Sequence, residues 1–447
     1  MHESTDLAAK TGTFVPRDRR PVTRLAAALG YLDRHVNFEK AADRHATPTL
    51  DRMREVCALL GDPQTAYPAI HVTGTNGKGS TVRMISALLA AHGLSVGTYT
   101  SPHLERINER MAWDGTAIDD DSLIAALGGV QVVEQHLGAE LTHFEVLTAA
   151  ALRWFADVAV DVAVVEVGLG GRWDSTNVVD GDVAVVTNVG LDHAEVIGPT
   201  KREIAIEKSG IIKPASAAVV GVVDPELVPI FEAVPKRSLW WGEADFGCTR
   251  SVVAVGGRLL DLRTPSGITN EVFLPLHGPH QGDNAAAALA ATEAFFDRPL
   301  AEDVVAAAFS SVTAPGRFEV VRRRPLVVLD GAHNPDGATA LAATLDQDFA
   351  GRYPDILVVG FTAGRDPQEM LAILGASRAR MVIACEPSHP RALPASSISD
   401  VTAPSVATAV ARALEHASDD DFILITGSLY VVGDARMVLG PREDPAV

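Results

Sequence analysis

Cysteine is scarce in this chain. Cys57, Cys248 and Cys385 are the three among 447 residues, an odd number at spacings too wide for a metal knuckle or a disulfide framework, so reduced thiols in a cytoplasm are expected. Long apolar runs are missing too. No stretch approaches the roughly 18 residues of a membrane span, and the polar N-terminus, with Arg17, Asp18, Arg19 and Arg20, has no apolar segment of the signal-peptide kind. Positive charge is in deficit: 38 Lys and Arg stand against 57 Asp and Glu, a net charge of −19. Such a surface disfavours nonspecific binding to nucleic acid or to an anionic membrane. It also requires an anionic substrate to meet a locally positive site. Internal repeats and low-complexity segments are absent. The expectation is a soluble cytoplasmic monomer acting on small molecules, with no nucleic-acid or membrane partner.

What is present is enough for more than one core. At 447 residues, 47% of them apolar, two or three domains are expected. Residues 1–20 read as a flexible tail. Leu25, Leu29 and Leu32, then Leu50, Met53, Val56 and Leu59, recur at helical spacing before a stop at Gly61-Asp62-Pro63. Apolar runs at 70–72, 95–100, 161–167 and 182–188 alternate with helical patterns, which predicts a mainly parallel sheet covered on both faces. Shorter alternating strands over 240–275 predict a small β insertion at the edge of this domain, with helices following at 282–296 and 301–309. Thr313-Ala314-Pro315-Gly316-Arg317 combines a stiff and a permissive residue and marks a linker. Strands near 325–329, 355–360, 380–385 and 421–426 then predict a second α/β domain. The expected division is 1–312, a linker at 313–317, and 318–447.

The chemistry concentrates at one junction. Ile70 and Val72 form the apolar part of a strand, and Gly74, Gly77 and Gly79 allow a tight turn whose N–H groups approach an anion. Val82, Ile85, Leu88 and Leu89 recur on the helix that follows, and Gly93 ends it. The helix start leaves unpaired N–H groups and about half a positive charge facing the loop. Lys78 adds a full charge and Ser80 a hydroxyl suited to Mg²⁺. The segment Thr75, Asn76, Gly77, Lys78, Gly79, Ser80, Thr81 is thus a phosphate cradle. Its spacing is two residues shorter than G-x-x-x-x-G-K-[ST] and places a glycine between lysine and serine.

Three further residues stand out. Glu166 lies in a Val-rich strand, where an unpaired carboxylate is costly. It precedes the polar loop Gly168-Leu169-Gly170-Gly171-Arg172-Trp173-Asp174, at a strand's carboxyl end, where ligands of open α/β sheets bind. Glu166 is either paired with an arginine such as Arg172 or, with Ser80, a ligand of Mg²⁺ beside the phosphates. His193 ends another buried strand and on chemistry alone reads as structural, since Mg²⁺ prefers oxygen. Lys208 reads as a solvated helix lysine beside a glutamate.

The shortened loop resembles that of the ATP-dependent amide ligases of the Mur ligase superfamily, and within it the folylpolyglutamate synthase and dihydrofolate synthase family. The likeness extends through E-V-G-L-G-G-R at 166–172, N-V-G-L-D-H at 188–193, E-K-S-G-I-I-K at 207–213, H-Q-G-D-N at 280–284, Pro315-Gly316-Arg317 and D-G-A-H-N-P at 330–335. It implies an α/β fold, with an N-terminal P-loop ATPase-like domain carrying a small β insertion and a C-terminal Rossmann-like domain. It further implies that Glu166 and His193 are metal ligands together with Ser80, and that Lys208 is carbamylated and helps hold a second ion. Gln281, Asn284, Arg317, Asp330 and His333 would contact nucleotide or line its cleft. Ser101, Pro102, His103 and Phe144, with Arg172, would form the substrate side, Phe144 as a stacking candidate. The chain departs from the family pattern at Trp173 and over residues 33–50, which bears on substrate detail. The implied cofactors are ATP and one or two Mg²⁺, and the implied substrates are folate or dihydropteroate and L-glutamate. Lys78, Glu166, His193 and Lys208 would carry catalysis.

The implied reaction is attack of a substrate carboxylate on the γ-phosphate, giving an acyl phosphate that the amine of L-glutamate then displaces. Other readings fit less well. A GTPase-like switch lacks its N-K-x-D motif, a dinucleotide dehydrogenase would need a third glycine where Trp173 stands, and a non-catalytic scaffold has no use for Glu166, His193 and Lys208 together. The remaining alternative is another ligase of the superfamily, such as a UDP-muramoyl peptide ligase.

Overall fold

A computed structural model describes residues 20–39, 49–192 and 194–440. The expected tail falls almost wholly outside them, as do His193 and half of the atypical 33–50 segment. The first sheet has eight strands in the order β4-β3-β2-β5-β1-β6-β7-β8: β1 Ala69–Thr73, β2 Val96–Tyr99, β3 Met111–Trp113, β4 Thr116–Ala117, β5 Val162–Glu166, β6 Val183–Val186, β7 Ala217–Val220 and β8 Ser238–Trp241. The six strands from β2 to β8 are parallel, and β3 and β4 form an antiparallel edge. β1 lies inside the sheet between β5 and β6 and is buried at all five positions, which is why its sequence is a continuous run rather than an alternation.

Helices cover both faces. On one side Ile70, Val72, Val164 and Val185 pack against α3 (Lys78–Ala91), α9 (His280–Phe296) and α10 (Glu302–Ser310). On the other, Ala69, Tyr99 and Val165 meet α1 (Arg20–Leu32), α2 (Asp51–Leu59), α4 (Asp120–Glu134) and α5 (His143–Asp157), while Ala184, Val186 and Val220 meet α6 (Ala194–Ile197), α7 (Lys201–Ser209) and α8 (Val228–Ala233). The expected β insertion is the antiparallel sheet β9 (Gly247–Ala254), β10 (Gly257–Thr264) and β11 (Gly267–Leu274). Residues 240 and 241 belong instead to β8, the last parallel strand. The insertion forms a third layer: Leu260, Leu262, Val272 and Leu274 join the core around α3 and α9. α9 is therefore enclosed by β-structure on two sides, and its buried alanines from Ala285 to Ala291 are the side chains small enough for that position.

Residues 311–318 lead, outside helix or strand, into the second sheet. Its order is β12-β13-β17-β14-β15-β16, with β12 Glu319–Arg323, β13 Leu326–Leu329, β14 Ile356–Val359, β15 Met381–Cys385, β16 Val401–Ala403 and β17 Phe422–Thr426. All are parallel except β12 against β13. The helices α11 (Pro335–Asp348), α12 (Pro367–Ile373), α13 (Val406–His416) and α14 (Leu429–Leu439) cover it. The strands β7, β12 and β16 and the β3–β4 edge were not anticipated, because each is short or lies at or near a sheet edge.

Candidate active site

The carboxyl ends of β1, β5 and β6 open into a cleft, and each contributes a loop. Gly77 caps α3 with φ 83°, a left-handed conformation, and a Cβ there would stand 2.3 Å from Asn284 Oδ1. At Gly74 a Cβ would stand 1.8 Å from Thr187 Oγ1. Glycine is required at both positions. The loop is held from β6: Asn188 Oδ1 accepts from Thr75 N at 3.2 Å and Asn76 N at 3.0 Å, and Thr187 Oγ1 donates to Asn76 O at 2.6 Å. The Lys78 ammonium donates to the carbonyls of Gly74 and Thr75 at 3.0 and 3.2 Å. Thr75, Asn76, Gly77, Lys78, Gly79 and Ser80 all line the cleft, while Thr81 lies buried beneath it.

Glu166 ends β5 and faces this loop. It is 4% exposed, and a Cβ on Gly79 would lie 3.6 Å from its Oε2. Among the described residues its carboxylate takes one hydrogen bond, from Ser101 N at 3.3 Å, and no ion pair. Burial raises its pKa, opposed chiefly by Lys78. The pairing with Arg172 considered from the sequence does not form: Arg172 lies over the Trp173 ring at 4.5 Å, with Nε 3.5 Å from Glu207. Among the described residues no three His, Cys, Asp or Glu side chains gather as a metal set. A buried carboxylate in no ion pair among the described residues, next to Ser80, nevertheless suits a hard divalent ion whose remaining ligands are phosphate oxygens and water.

Lys208 corrects another expectation. It is 4% exposed rather than solvated, lines the same cleft, and has its pKa pushed far below the ordinary lysine range by burial and by Lys78. Gln281 and Asn284, joined by a 3.0 Å hydrogen bond, line the cleft from α9. Arg317, Asp330 and His333 line it from the second domain. Asp330 accepts from Phe318 N and Ala332 N, both at 2.8 Å, and burial raises its pKa against the pull of Arg317.

A second, larger cleft of about 350 Å³ adjoins this one of about 190 Å³. Ser101, Pro102, Gly168, Leu169, Gly170, His333 and Leu429 line both, so the two meet beside Glu166. Phe144, Trp173, Asp174, Arg365, Arg391 and Tyr430 line the larger cleft. Two expected substrate residues, His103 and Arg172, do not line either cleft: His103 Nδ1 accepts from Arg110 Nε at 2.9 Å.

Sequence reasoning missed the residues that tie the halves together. Asn334 is fully buried and caps α11. Its Nδ2 donates to Asn76 Oδ1 at 3.2 Å and to Asp192 Oδ2 at 2.9 Å, and Arg365 lies 2.7 Å from Asp192 Oδ1. The available signal was polar residues closing apolar strands, Asn188 after β6 and Asn334 after β13.

Comparisons with known proteins agree with this geometry. The Mur ligase middle domain matches residues 72–292, and the Mur ligase glutamate ligase domain matches residues 316–429. The dihydrofolate synthase/folylpolyglutamate synthase of Mycobacterium tuberculosis is 38% identical over 92% of this chain and 93% of its own length. That of Escherichia coli is 32% identical over 96% and 99%. The structure of Mycobacterium tuberculosis folylpolyglutamate synthase complexed with ADP superposes with a TM-score of 0.87 at 36% identity, covering 95% of this chain and all of that one. The Yersinia pestis bifunctional enzyme, complexed with AMPPNP and a Mn ion, gives a TM-score of 0.81 at 29% identity, covering 95% and 100%. The chain belongs to the folylpolyglutamate synthase/dihydrofolate synthase family of Mur ligases and is an ADP-forming ligase.

Proposed function

We propose that this protein joins L-glutamate to the carboxylate of dihydropteroate and of reduced folates at the expense of ATP. The observation that carries this reading is the meeting of two clefts beside Glu166, one built for phosphates and one wide and aromatic-walled. An acceptor lying against Phe144 and Trp173 would present its carboxylate where the γ-phosphate ends. Carboxylate and triphosphate repel: one pair of unit charges at 4 Å costs about 4 kcal/mol at an effective dielectric of 20. Lys78, the α3 N-terminus and Arg317 supply the opposing charge and stabilise the phosphoryl group as it moves. Ser80 and Glu166, with His193 as implied by the family motif, would hold Mg²⁺, which when bound neutralises phosphate charge. The acceptor oxygen then forms its bond to phosphorus as the bond to ADP breaks. The glutamate amine attacks the acyl carbon, and phosphate leaves.

Holding three reactants in register contributes roughly 7–11 kcal/mol. Packing of the second domain over the cleft through Asn334, His333 and Leu429 would exclude water that hydrolyses the acyl phosphate. Burial of Lys208 favours its neutral amine, the form that adds CO₂ and loses a proton to become a carbamate, and this supports the carbamylated state implied by the resemblance.

The test is ADP release from purified protein with ATP, Mg²⁺ and L-glutamate. Dihydropteroate and tetrahydrofolate should each sustain it, and a UDP-muramoyl peptide with its amino acid should not. The muramoyl-peptide alternative draws no support from the matches above. Turnover with that substrate alone would sink the folate reading.

A further inference from the structure

His71 is the one residue of β1 whose presence the phosphate loop does not explain. It is fully buried in a strand whose other residues are Ala69, Ile70, Val72 and Thr73, and among the described residues its Nδ1 has no hydrogen-bond partner. Its Nε2 lies 2.8 Å from Thr176 Oγ1, and that hydroxyl lies 2.5 Å from Asp174 Oδ1. Asp174 also accepts from Thr176 N at 3.0 Å on Oδ1 and from Leu169 N at 2.9 Å on Oδ2. Two residues along β1, on the same face, Thr73 Oγ1 donates to Gly170 O at 2.7 Å. The strand that carries the phosphate loop thus anchors, from beneath, the loop that separates the two clefts. A Cβ on Gly168 would meet both Phe144, at 2.6 Å, and Asp174 Oδ2, at 3.2 Å, so this loop sets where the aromatic wall stands.

We propose that His71 and Thr176 are positioning residues for the acceptor substrate, acting through Asp174: a buried chain from His71 Nε2–H to the Thr176 hydroxyl to Asp174 Oδ1 holds the 168–174 loop against the acceptor cleft. The direction follows from proton counting. Burial raises the Asp174 pKa, but its two backbone N–H donors favour the carboxylate, so the single hydroxyl proton of Thr176 goes to it. The hydroxyl oxygen must then accept from the imidazole, which leaves Nδ1 bare, as its missing partner indicates. Burial holds the ring neutral, with a pKa near 3, so Nε2 carries the one ring proton.

The inference rests on the acceptor reading of the larger cleft, and the experiment separates the two. Dihydropteroate affinity is measured by quenching of tryptophan fluorescence, Trp173 lying in the cleft wall, for the parent, Thr176→Val and Thr176→Ser. Valine keeps the volume and removes the relay. It should weaken dihydropteroate binding about tenfold, the factor equal to about 1.4 kcal/mol, while leaving KM for ATP at the parental value, and serine should restore affinity. The ¹⁵N shifts of His71 should show the neutral ring protonated at Nε2. Absence of dihydropteroate binding by the parent would overturn the acceptor reading and this inference with it. Parental affinity in Thr176→Val, an equal loss of ATP and acceptor binding, or a ring protonated at Nδ1 would overturn the inference alone.

Discussion

Lys208 and Glu166 stand within the same cleft, and for each the surroundings rather than the residue type set the chemistry. Lys208 is enclosed beside Lys78, so its ammonium form is opposed both by lost solvation and by a neighbouring like charge. Lys208→Ala should therefore lose most glutamate-dependent ADP release while keeping its fold. If the working form is a carbamate, a small carboxylate such as formate added to the assay should restore part of the rate, and no such rescue should occur in Lys78→Ala. For Glu166 the ionised form is disfavoured by burial, yet the proposed metal role requires its charge. Glu166→Gln should lower turnover by about 100-fold or more, with a Tm no lower than the parent's, because a neutral amide of the same shape relieves the desolvation. Full activity in that variant would refute the metal-ligand assignment.

At the scale of elements, β1 and the turn that follows it carry two separate liabilities. One is steric. Gly74→Ala would push a methyl group to 1.8 Å from Thr187 Oγ1, so the loop must shift away from the Asn188 anchor. ATP binding, followed calorimetrically, should be lost even where the protein remains folded. The other liability is protonation of His71. In the unfolded chain this ring titrates near its ordinary 6.5, whereas in the folded strand its pKa is about 3. Between those values the unfolded state binds the extra proton, so stability falls as pH falls. From pH 6.5 to pH 5 the loss from this ring is about 2 kcal/mol. Urea midpoints at pH 7, 6 and 5 should decline more steeply for the parent than for His71→Gln, which has no ring to titrate.

At the scale of the whole molecule, polar contacts join the two domains at widely separated points. Arg258 of β10 pairs with Asp348 at the end of α11, both nearly inaccessible, and Gly278 N donates to the same carboxylate at 2.8 Å. On the far side Arg436 of α14 reaches Glu105, at 2.5 Å, and Glu319, while Gly433 leaves room for the Leu104 carbonyl. Between these lies the Asn76–Asn334 pair over the phosphate loop. Breaking a buried pair by removing one partner costs about 3–5 kcal/mol, since the other charge stays desolvated. Arg258→Met should accordingly show a large drop in denaturant midpoint. It should also show weaker ATP binding, because Gly278, anchored on Asp348, precedes the helix that carries Gln281 and Asn284.

The glycine turn before α3, the parallel sheet around it and the second α/β unit were legible in the chain, because each is a local pattern. Strand periodicity, glycines before a helix and a carboxylate stranded in a valine run are set by neighbours in sequence. The alanine run of α9 could be read as a helix but not as a helix pressed between two sheets. Arg172, a substrate residue by the resemblance and one possible partner of Glu166 by sequence, instead turns toward Glu207 from another helix. Lys208 is a solvated lysine by its neighbours in sequence and a site residue only by the family resemblance, and the fold buries it, since exposure depends on what folds over a residue. Asp192 and Asn334 meet across the cleft from positions 142 residues apart, and no local pattern encodes such a meeting. Composition and spacing thus determined which chemistry the chain can carry. Folding alone decided which charges lose their water, which carbonyls a lysine faces, and which two clefts share a wall, because desolvation and hydrogen bonding depend on distance in space.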